Sequence, residues 1–375
     1  MKIVFLARSL GLGGAESQLV TLAAGLKRRG HKVSVFIFYN ENAFAAELAQ
    51  VGVSVRSLAK KGRWDVFPFL RRLLRGLRRE RPDIIHGYLP VPNILIGMMK
   101  PFLKGVKSVF GVRASNLELK KYDWLTRLSY RFEADFAQWC DSIVANSETG
   151  RARAEKLGFP VERMVVIPNG IDTDRFRPDS DARARIRAEI GVGDGTPVVG
   201  LVARLDPMKD HPNFLHAAAE FCKRVPNVKF VCVGDGFPAY REYLEKLSIR
   251  LGLVKPIVWM GRREDVAAIF NGFDVATLSS LSEGFPNCLA EAMACGVPCV
   301  TTDVGDAARI VGDTGIIVPP RQSVVLAKGW FDMLRRIRDE GSGLREAVRR
   351  RIVTEFSRGS LVVRTERHLR ELIAG

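Results

Sequence analysis

The first 38 residues, "MKIVFLARSLGLGGAESQLVTLAAGLKRRGHKVSVFIF" (Met1–Phe38), read as strand, glycine-rich turn, helix and strand. "KIVFLA" is a short β-branched run that ends at Arg8 and Gly11, a helical spacing follows from Ala15 to Arg29, and "KVSVFIF" returns to the strand pattern. The alternation continues through "DIIHG", "KSVFGV", "DSIVANS" and "RMVVIP", which predicts a doubly wound α/β domain. After the polar segment "DTDRFRPDSDARAR" it restarts with "PVVGLVARL", "VKFVCVGDG", "PIVWMG", "FDVATLSS", "VPCVTT" and "GIIVPP". The expected architecture is therefore two Rossmann-like lobes, 1–172 and 173–355, joined near Pro168 to Pro178. A last helix, 356–375, is expected to pack back on the first lobe. Ligands of open parallel sheets bind beyond the carboxyl ends of the strands, so two such lobes facing each other predict a cleft lined by the motifs that follow strands.

Length agrees with this division, since 375 residues exceed one ordinary core. A 47% hydrophobic and 26% charged composition is that of a packed globular protein. The longest apolar candidate for a membrane span, "VPNILIGMM", is cut by Lys100, and the opening residues read as a first strand, not a secretory signal. Six cysteines without paired spacing read as small buried hydrophobes of a reducing cytosol, and the expected location is cytoplasmic.

The charge is uneven. Residues 1–172 hold 28 Lys and Arg against 15 Asp and Glu, or +13, while the remainder carries only +4. The densest run, "FPFLRRLLRGLRRERPD", predicts a helix with Val66, Leu70, Leu73, Leu74 and Leu77 on its apolar face and arginines 71, 72, 75, 78 and 79 around the rest. Those arginines suit anionic lipid headgroups, an anionic acceptor or water alone. Nucleic acid is not an expected partner, because interleaved aromatics and a nucleic-acid module are both missing.

Three motifs follow strands. "SLGLGGAESQ" brings Gly11, Gly13 and Gly14 to a helix start that can approach a phosphate or sugar, or form a tight turn without a ligand. It does not match GxGxxG, because Glu16 stands at the third glycine, and the only acid at the end of the next strand is Glu41, poorly placed for a ribose. A nicotinamide Rossmann domain is disfavoured. "RLDPMKDH" places Arg204 and Lys209 five apart in a loop, where they can grip a diphosphate or pair with Asp206 and Asp210. In "SLSEGFPNCLAEAMACGVPC" a helix is expected near Asn287, with the turn through Phe285 and Pro286 aiming backbone N–H groups at an anion. Glu283 before that turn can accept from sugar hydroxyls, and Glu291 one turn inside can hold a ribose diol. The plain alternative is a capping acid and a surface acid.

With "GLGGAE", "VIPNGIDTDRF", "GLVARLDPMKD", "VGDGF" and "EGFPNCLAEAMACGVPCV" in this order, nearly the whole chain resembles glycosyltransferase family 4, retaining enzymes of the GT-B fold, and in particular bacterial surface-polysaccharide glycosyltransferases. The resemblance implies that Arg204 and Lys209 bind the donor diphosphate, Glu283 the donor sugar and Glu291 the ribose. It places Gly13 and Gly14 at the sugar–phosphate region and, through "WMGRRED", Gly261 and Arg262 beside the nucleobase. Many relatives carry a histidine after the strand matching "SVFGV". Here "GVRASN" puts Arg113 and Asn116 in that region, so the histidine's role is not transferred. His86 in "IIHGYLP" is expected on the acceptor side, as either a buried or a catalytic histidine.

"DTD" at 172–174 reads as linker, and "HPNFLH" lacks the spacing and third ligand of a metal site, so no metal or other cofactor is expected. The resulting expectation is a retaining, metal-independent transferase that moves a hexosyl unit from a nucleotide diphosphate sugar, a UDP-sugar ahead of GDP-mannose, to an acceptor hydroxyl. The basic first lobe favours a lipid-linked saccharide acceptor at the inner face of the cytoplasmic membrane over a free saccharide. The alternatives are a non-catalytic nucleotide-sugar-binding protein and a nucleotide-sugar epimerase on a similar frame.

Overall fold

The structure is a computed structural model and describes the chain except residues 12, 63 and 114–131. It divides into two compact units, Met1–Gly170 with Arg358–Gly375, and Ile171–Ser357.

In the first unit, strands β1 (Lys2–Ala7), β2 (Lys32–Ile37), β3 (Ser54–Ser57), β4 (Ile84–Tyr88), β5 (Lys107–Val112), β6 (Ser142–Ala145) and β7 (Met164–Val166) form one sheet in the order β3-β2-β1-β4-β5-β6-β7. Every pairing is parallel. Strand direction alternates side chains between faces, and the two faces carry separate cores. Ile3, Phe5, Val33, Val35 and Val109 pack with helix Gly14–Arg28 and the last helix, Arg358–Ala374. Val4, Leu6, Phe36, Ile85 and Phe110 pack under helices Val66–Glu80 and Pro90–Met99.

The sequence reading misses β3, whose "SVRS" is only four residues long with Val55 its one apolar residue. Of the apolar face expected on the arginine-rich helix, Leu70 and Leu74 pack half-buried against the core. Phe69, Leu73 and Leu77 are buried, whereas Val66 is exposed at the first helical position. Phe69 follows Pro68 and packs edge-on against Phe38, so it, and not Val66, closes the buried stripe at the helix start.

The second unit holds β8 (Val198–Val202), β9 (Lys229–Val233), β10 (Ile257–Gly261), β11 (Val275–Leu278), β12 (Cys299–Thr302) and β13 (Ile316–Val318), all parallel, in the order β10-β9-β8-β11-β12-β13. Its core centres on Trp330, whose ring meets Phe214, Phe221 and Phe230 and whose Nε1 donates to Thr277 Oγ1 at 2.9 Å. All six cysteines are free thiols, four of them buried. The "DTD" segment is a capped turn in which Asp172 Oδ1 accepts from the N–H groups of Asp174 and Arg175. Among the described residues, no helix is long and apolar enough to cross a membrane.

Beside its apolar packing, the last helix is tied to the end of helix Gly14–Arg28 by a buried carboxylate. Glu366 accepts from Arg29, from His31 Nε2 at 2.9 Å and from Arg370 at 2.8 Å. The Arg370 hydrogen bond acts first in holding this carboxyl down at about 2, with burial opposing it and His31 and Arg29 adding to it. An unfolded glutamate titrates at about 4.3, so this stabilisation is complete above that pH and is lost as pH falls toward 2. Glu366→Gln is therefore expected to lower the thermal midpoint at pH 7, with the gap to the parent closing as pH falls below 4.3. A gap that does not change with pH would contradict this anchoring.

Candidate functional site

The strand order reverses direction at β8/β11 in the second unit, and the crevice at such a point is where open α/β sheets bind ligands. Two loops leave the carboxyl ends of these neighbouring strands and are tied together. Leu281 N donates to Met208 O and Ser279 Oγ to Lys209 O, both at 2.8 Å. Lys209 Nζ reaches Glu283 Oε1 at 2.5 Å, and Ser280 Oγ donates to the same oxygen at 2.6 Å.

Local sequence sets this geometry. Asp206 caps the short Pro207–Lys209 turn by accepting from Met208 N, and Asp210, in the left-handed region at φ 46°, caps helix His211–Cys222. Asp210 is thereby engaged with Asn213 N, and Lys209 turns to Glu283 instead. Arg204 does take the pairing that the sequence left open, meeting Asp206 Oδ2 at 2.8 Å, but its side chain stays 72% exposed. An exposed pair of this kind is weak and readily exchanged. Burial would discharge Lys209, but the Glu283 carboxylate outweighs it and holds the ammonium above its ordinary pKa.

Phe285 and Pro286 are buried, with Phe285 packed 5.6 Å from Phe356, so they anchor the turn from beneath and do not offer a contact surface. The anion contact expected of this turn runs through its backbone N–H groups, which the side chains support. Asn287 opens helix Asn287–Ala294 as predicted. A feature missed in the sequence supports the turn from the far side. Gly305, at φ +57°, lies where a Cβ would stand 2.5 Å from Gly284 O, and Asp306 N donates to that carbonyl at 2.8 Å. Glu291 is half-buried, one turn into the helix, and burial pushes its carboxyl up to about 7 against the opposing charge of Arg175. Gly261 ends edge strand β10 at φ +63°, its carbonyl accepting from Gly234 N, and Arg262 beside it is exposed. These two lie at the same end of the sheet as Lys209, two strands away.

The first unit reverses strand order at β1/β4. Gly13 caps helix Gly14–Arg28 in an extended conformation, and the Glu16 carboxylate folds over it. A Cβ on Gly13 would sit 2.1 Å from Glu16 Oε2, and one on Gly11 would sit 2.9 Å from Glu41 Oε1. The glycines thus admit two carboxylates against the turn. A phosphate there would face like charge, whereas a sugar hydroxyl can donate to it. At β4 the structure takes the buried of the two readings of His86, which corrects its expected place on the acceptor side. The ring has no exposed surface, lies between Phe5 and Tyr88, and burial drives it toward the neutral form. It sits mid-strand, paired with Phe5 and Val109, beneath any surface that an acceptor can touch.

Arg113 is placed differently. Its guanidinium stacks 4.5 Å from the Tyr88 ring centre, donates to Tyr88 Oη at 2.8 Å and donates to Asn169 Oδ1 at 3.2 Å. Neighbouring Glu133, absent from the sequence reading, is buried, has its carboxyl pushed up to about 8 and accepts from Asn93 at 2.6 Å. Asn116 lies outside the described residues. Among the described residues, no three His, Cys, Asp or Glu side chains converge as metal ligands.

The sequence profile described as Glycosyltransferase Family 4 matches residues 12–175, and the profile described as Glycosyl transferases group 1 matches residues 196–336. The chain is 27% identical over 367 residues, 89% of this chain and 78% of that protein, to D-inositol 3-phosphate glycosyltransferase of Nocardia farcinica. It is 28% identical over 346 residues, 88% of this chain and 87% of that protein, to the Campylobacter jejuni GalNAc-alpha-(1->4)-GalNAc-alpha-(1->3)-diNAcBac-PP-undecaprenol alpha-1,4-N-acetyl-D-galactosaminyltransferase. Among solved structures, Anabaena HepE in complex with UDP superposes with a TM-score of 0.86 at 22% identity, covering 99% of this chain and 100% of that one. This likeness shows the fold, the GT-B architecture of two Rossmann-like units.

The raised pKa of Glu291 carries a stability consequence. Its folded pKa, about 7, exceeds the unfolded value, so the cost of ionising it in place grows from pH 4.3 to 7 and is complete above that. Glu291→Gln is expected to raise the unfolding midpoint at pH 8 and leave it unchanged at pH 4. A lower midpoint at pH 8 would show that the carboxylate is satisfied.

Proposed function

We propose that this chain, which belongs to glycosyltransferase family 4, moves a hexosyl group from a nucleotide diphosphate sugar to an acceptor hydroxyl with retention of configuration and without a metal ion. One observation carries the reading: Lys209 and Glu283, from loops after adjacent strands, meet at 2.5 Å at the strand-order reversal beside the start of helix Asn287–Ala294. A diphosphate arriving there can take the Lys209 ammonium and the exposed Arg204 guanidinium, with the N–H groups at Asn287 beneath it. Glu283, still held by Ser280, is then released to accept from donor-sugar hydroxyls. Glu291 takes the ribose diol, and Gly261 with Arg262 borders the base.

In the first unit, Arg113 presents a fixed cation to the acceptor side, and the Gly13–Gly14 turn with Glu16 suits sugar hydroxyls better than phosphate. In the transfer, the bond from the anomeric carbon to the phosphate oxygen breaks and a bond to the acceptor oxygen forms on the same face. The acceptor's proton passes to an oxygen of the departing diphosphate. Lys209 and Arg204 stabilise the charge that builds on that diphosphate, which is the service a metal would otherwise supply. A UDP-sugar is the favoured donor, in keeping with the UDP bound by Anabaena HepE. A lipid-linked saccharide at the cytoplasmic membrane face is the favoured acceptor, in keeping with the undecaprenol diphosphate in the name of the Campylobacter relative.

A thermal-shift panel of UDP-, GDP- and ADP-sugars tests the donor, because a bound donor stabilises the fold by mass action. A selective UDP-sugar shift that EDTA leaves intact is expected, and no shift with any nucleotide sugar would favour a non-catalytic protein. In the transfer assay, Lys209→Ala and Arg204→Ala are each expected to lower turnover by about 100- to 1,000-fold. Nucleotide affinity should fall far less, and near-normal turnover in both variants would overturn the assignment.

A further inference from the structure

The first unit exposes its large apolar side chains unevenly. Among the described residues, ten are exposed, and eight of them lie on or beside helices Val66–Glu80, Pro90–Met99 and 132–137, which together cover one face of the sheet. The other two, Val363 and Ile373, belong to the last helix on the opposite face. The largest members of the cluster are Trp64, Phe67, Phe102, Phe132 and Trp139, with Trp64 89% and Phe67 85% exposed. Exposure this complete for two aromatic residues three apart is not explained by packing within the chain.

Charge on the same layer has one sign where the aromatics are most exposed. Phe67, Arg71, Arg75 and Arg78 follow one another at intervals of four, four and three residues, so they form a single stripe along helix Val66–Glu80. Arg71, Arg75, Arg78 and Arg79 are exposed, and none of them engages a carboxylate among the described residues. The nearby acid Asp65 is taken by Arg72, which turns inward and also donates to Leu58 O at 2.7 Å. Lys60 and Lys61 precede Trp64 by four and three residues, and exposed Lys104 lies two residues after Phe102. Aromatic rings at one end of a cationic stripe match the boundary of an anionic bilayer. Rings enter the headgroup region, and guanidinium groups meet lipid phosphates.

We infer that the outer surface of this helical layer docks on an anionic membrane, with Trp64 and Phe67 as the inserted tip and the Arg71, Arg75 and Arg78 stripe lying on the headgroups. The inference rests on the proposed use of a lipid-linked acceptor and names the surface that brings the enzyme to it. In the doubly wound topology, helix Val66–Glu80 runs back along the sheet from the strands' carboxyl ends. Its aromatic tip therefore lies at the end of the unit where Arg113 and the Gly13–Gly14 turn are found.

The test is co-sedimentation of the full chain with phosphatidylcholine vesicles and with vesicles containing phosphatidylglycerol. Binding only to the anionic vesicles, weakened by salt, is expected. Trp64→Ser/Phe67→Ser should bind about tenfold more weakly and lose most of the blue shift in tryptophan emission on vesicles. Arg71→Ala/Arg75→Ala/Arg78→Ala should bind about a hundredfold more weakly. Equal partition of the parent and the aromatic variant, equal binding to neutral vesicles, or capture of a soluble protein without vesicle binding would overturn the inference. The nucleotide-sugar thermal shift without vesicles keeps the two readings separate. An intact donor shift with no vesicle binding removes the membrane surface alone, and vesicle binding with no donor shift removes the transferase reading alone.

Discussion

The pairing of Lys209 with Glu283 is the contact on which the site depends, because it joins two loops that belong to different strands of one sheet. Neither loop is positioned by this pair alone. Asp206 and Asp210 cap the first, while Gly305 and Asp306 brace the second from behind. The result is a lysine that stays charged despite its burial and a carboxylate held by both an ammonium and a hydroxyl. Removing one partner of such a pair leaves a poorly solvated charge, so each residue constrains the other as strongly as it would constrain a ligand. Loops anchored in this way bring a cation and an acceptor to the carboxyl end of a rigid sheet with little further ordering to be done.

The two units use charge differently. In the second, the cations near β8 and β11 stand beside carboxylates, so positive charge is concentrated locally within a nearly balanced surface. In the first, the densest run of the surplus lies on helix Val66–Glu80, and the glycine turn carries two carboxylates. That contrast agrees with the proposed division of labour, in which an anionic donor is held by Lys209 and Arg204 while hydroxyls and a lipid surface are met by the first unit.

Much of the fold was legible because parallel strands buried on both faces are apolar runs, and twelve of these, from "KIVFLA" to "GIIVPP", stand out from the helices between them. β3 was not, since an edge strand covered on fewer sides needs less apolar sequence. Asn287 was found from the turn chemistry before it, and the Lys209 and Glu283 positions from their place after strands. Their mutual contact was not readable, because it joins residues 74 apart through the sheet order. The same reason hid the Gly305 brace. His86 shows the converse error. A histidine in a strand next to a loop looks accessible in sequence, but the register buries its ring between Phe5 and Tyr88. Gly13 suggested a phosphate seat because glycines at a helix start permit one, yet Glu16 three residues later folds over that end. A first-turn acid is a visible signal for this outcome.

The most direct test of the central claim is a calorimetric comparison of UDP and UMP binding to the parent protein and to Lys209→Met, in EDTA. If Lys209 grips the diphosphate, the variant loses the parent's preference for UDP while its UMP affinity stays the same. An equal loss for both nucleotides, or an unchanged preference for UDP, would contradict the assignment of Lys209 to the diphosphate and with it the proposed placement of the donor.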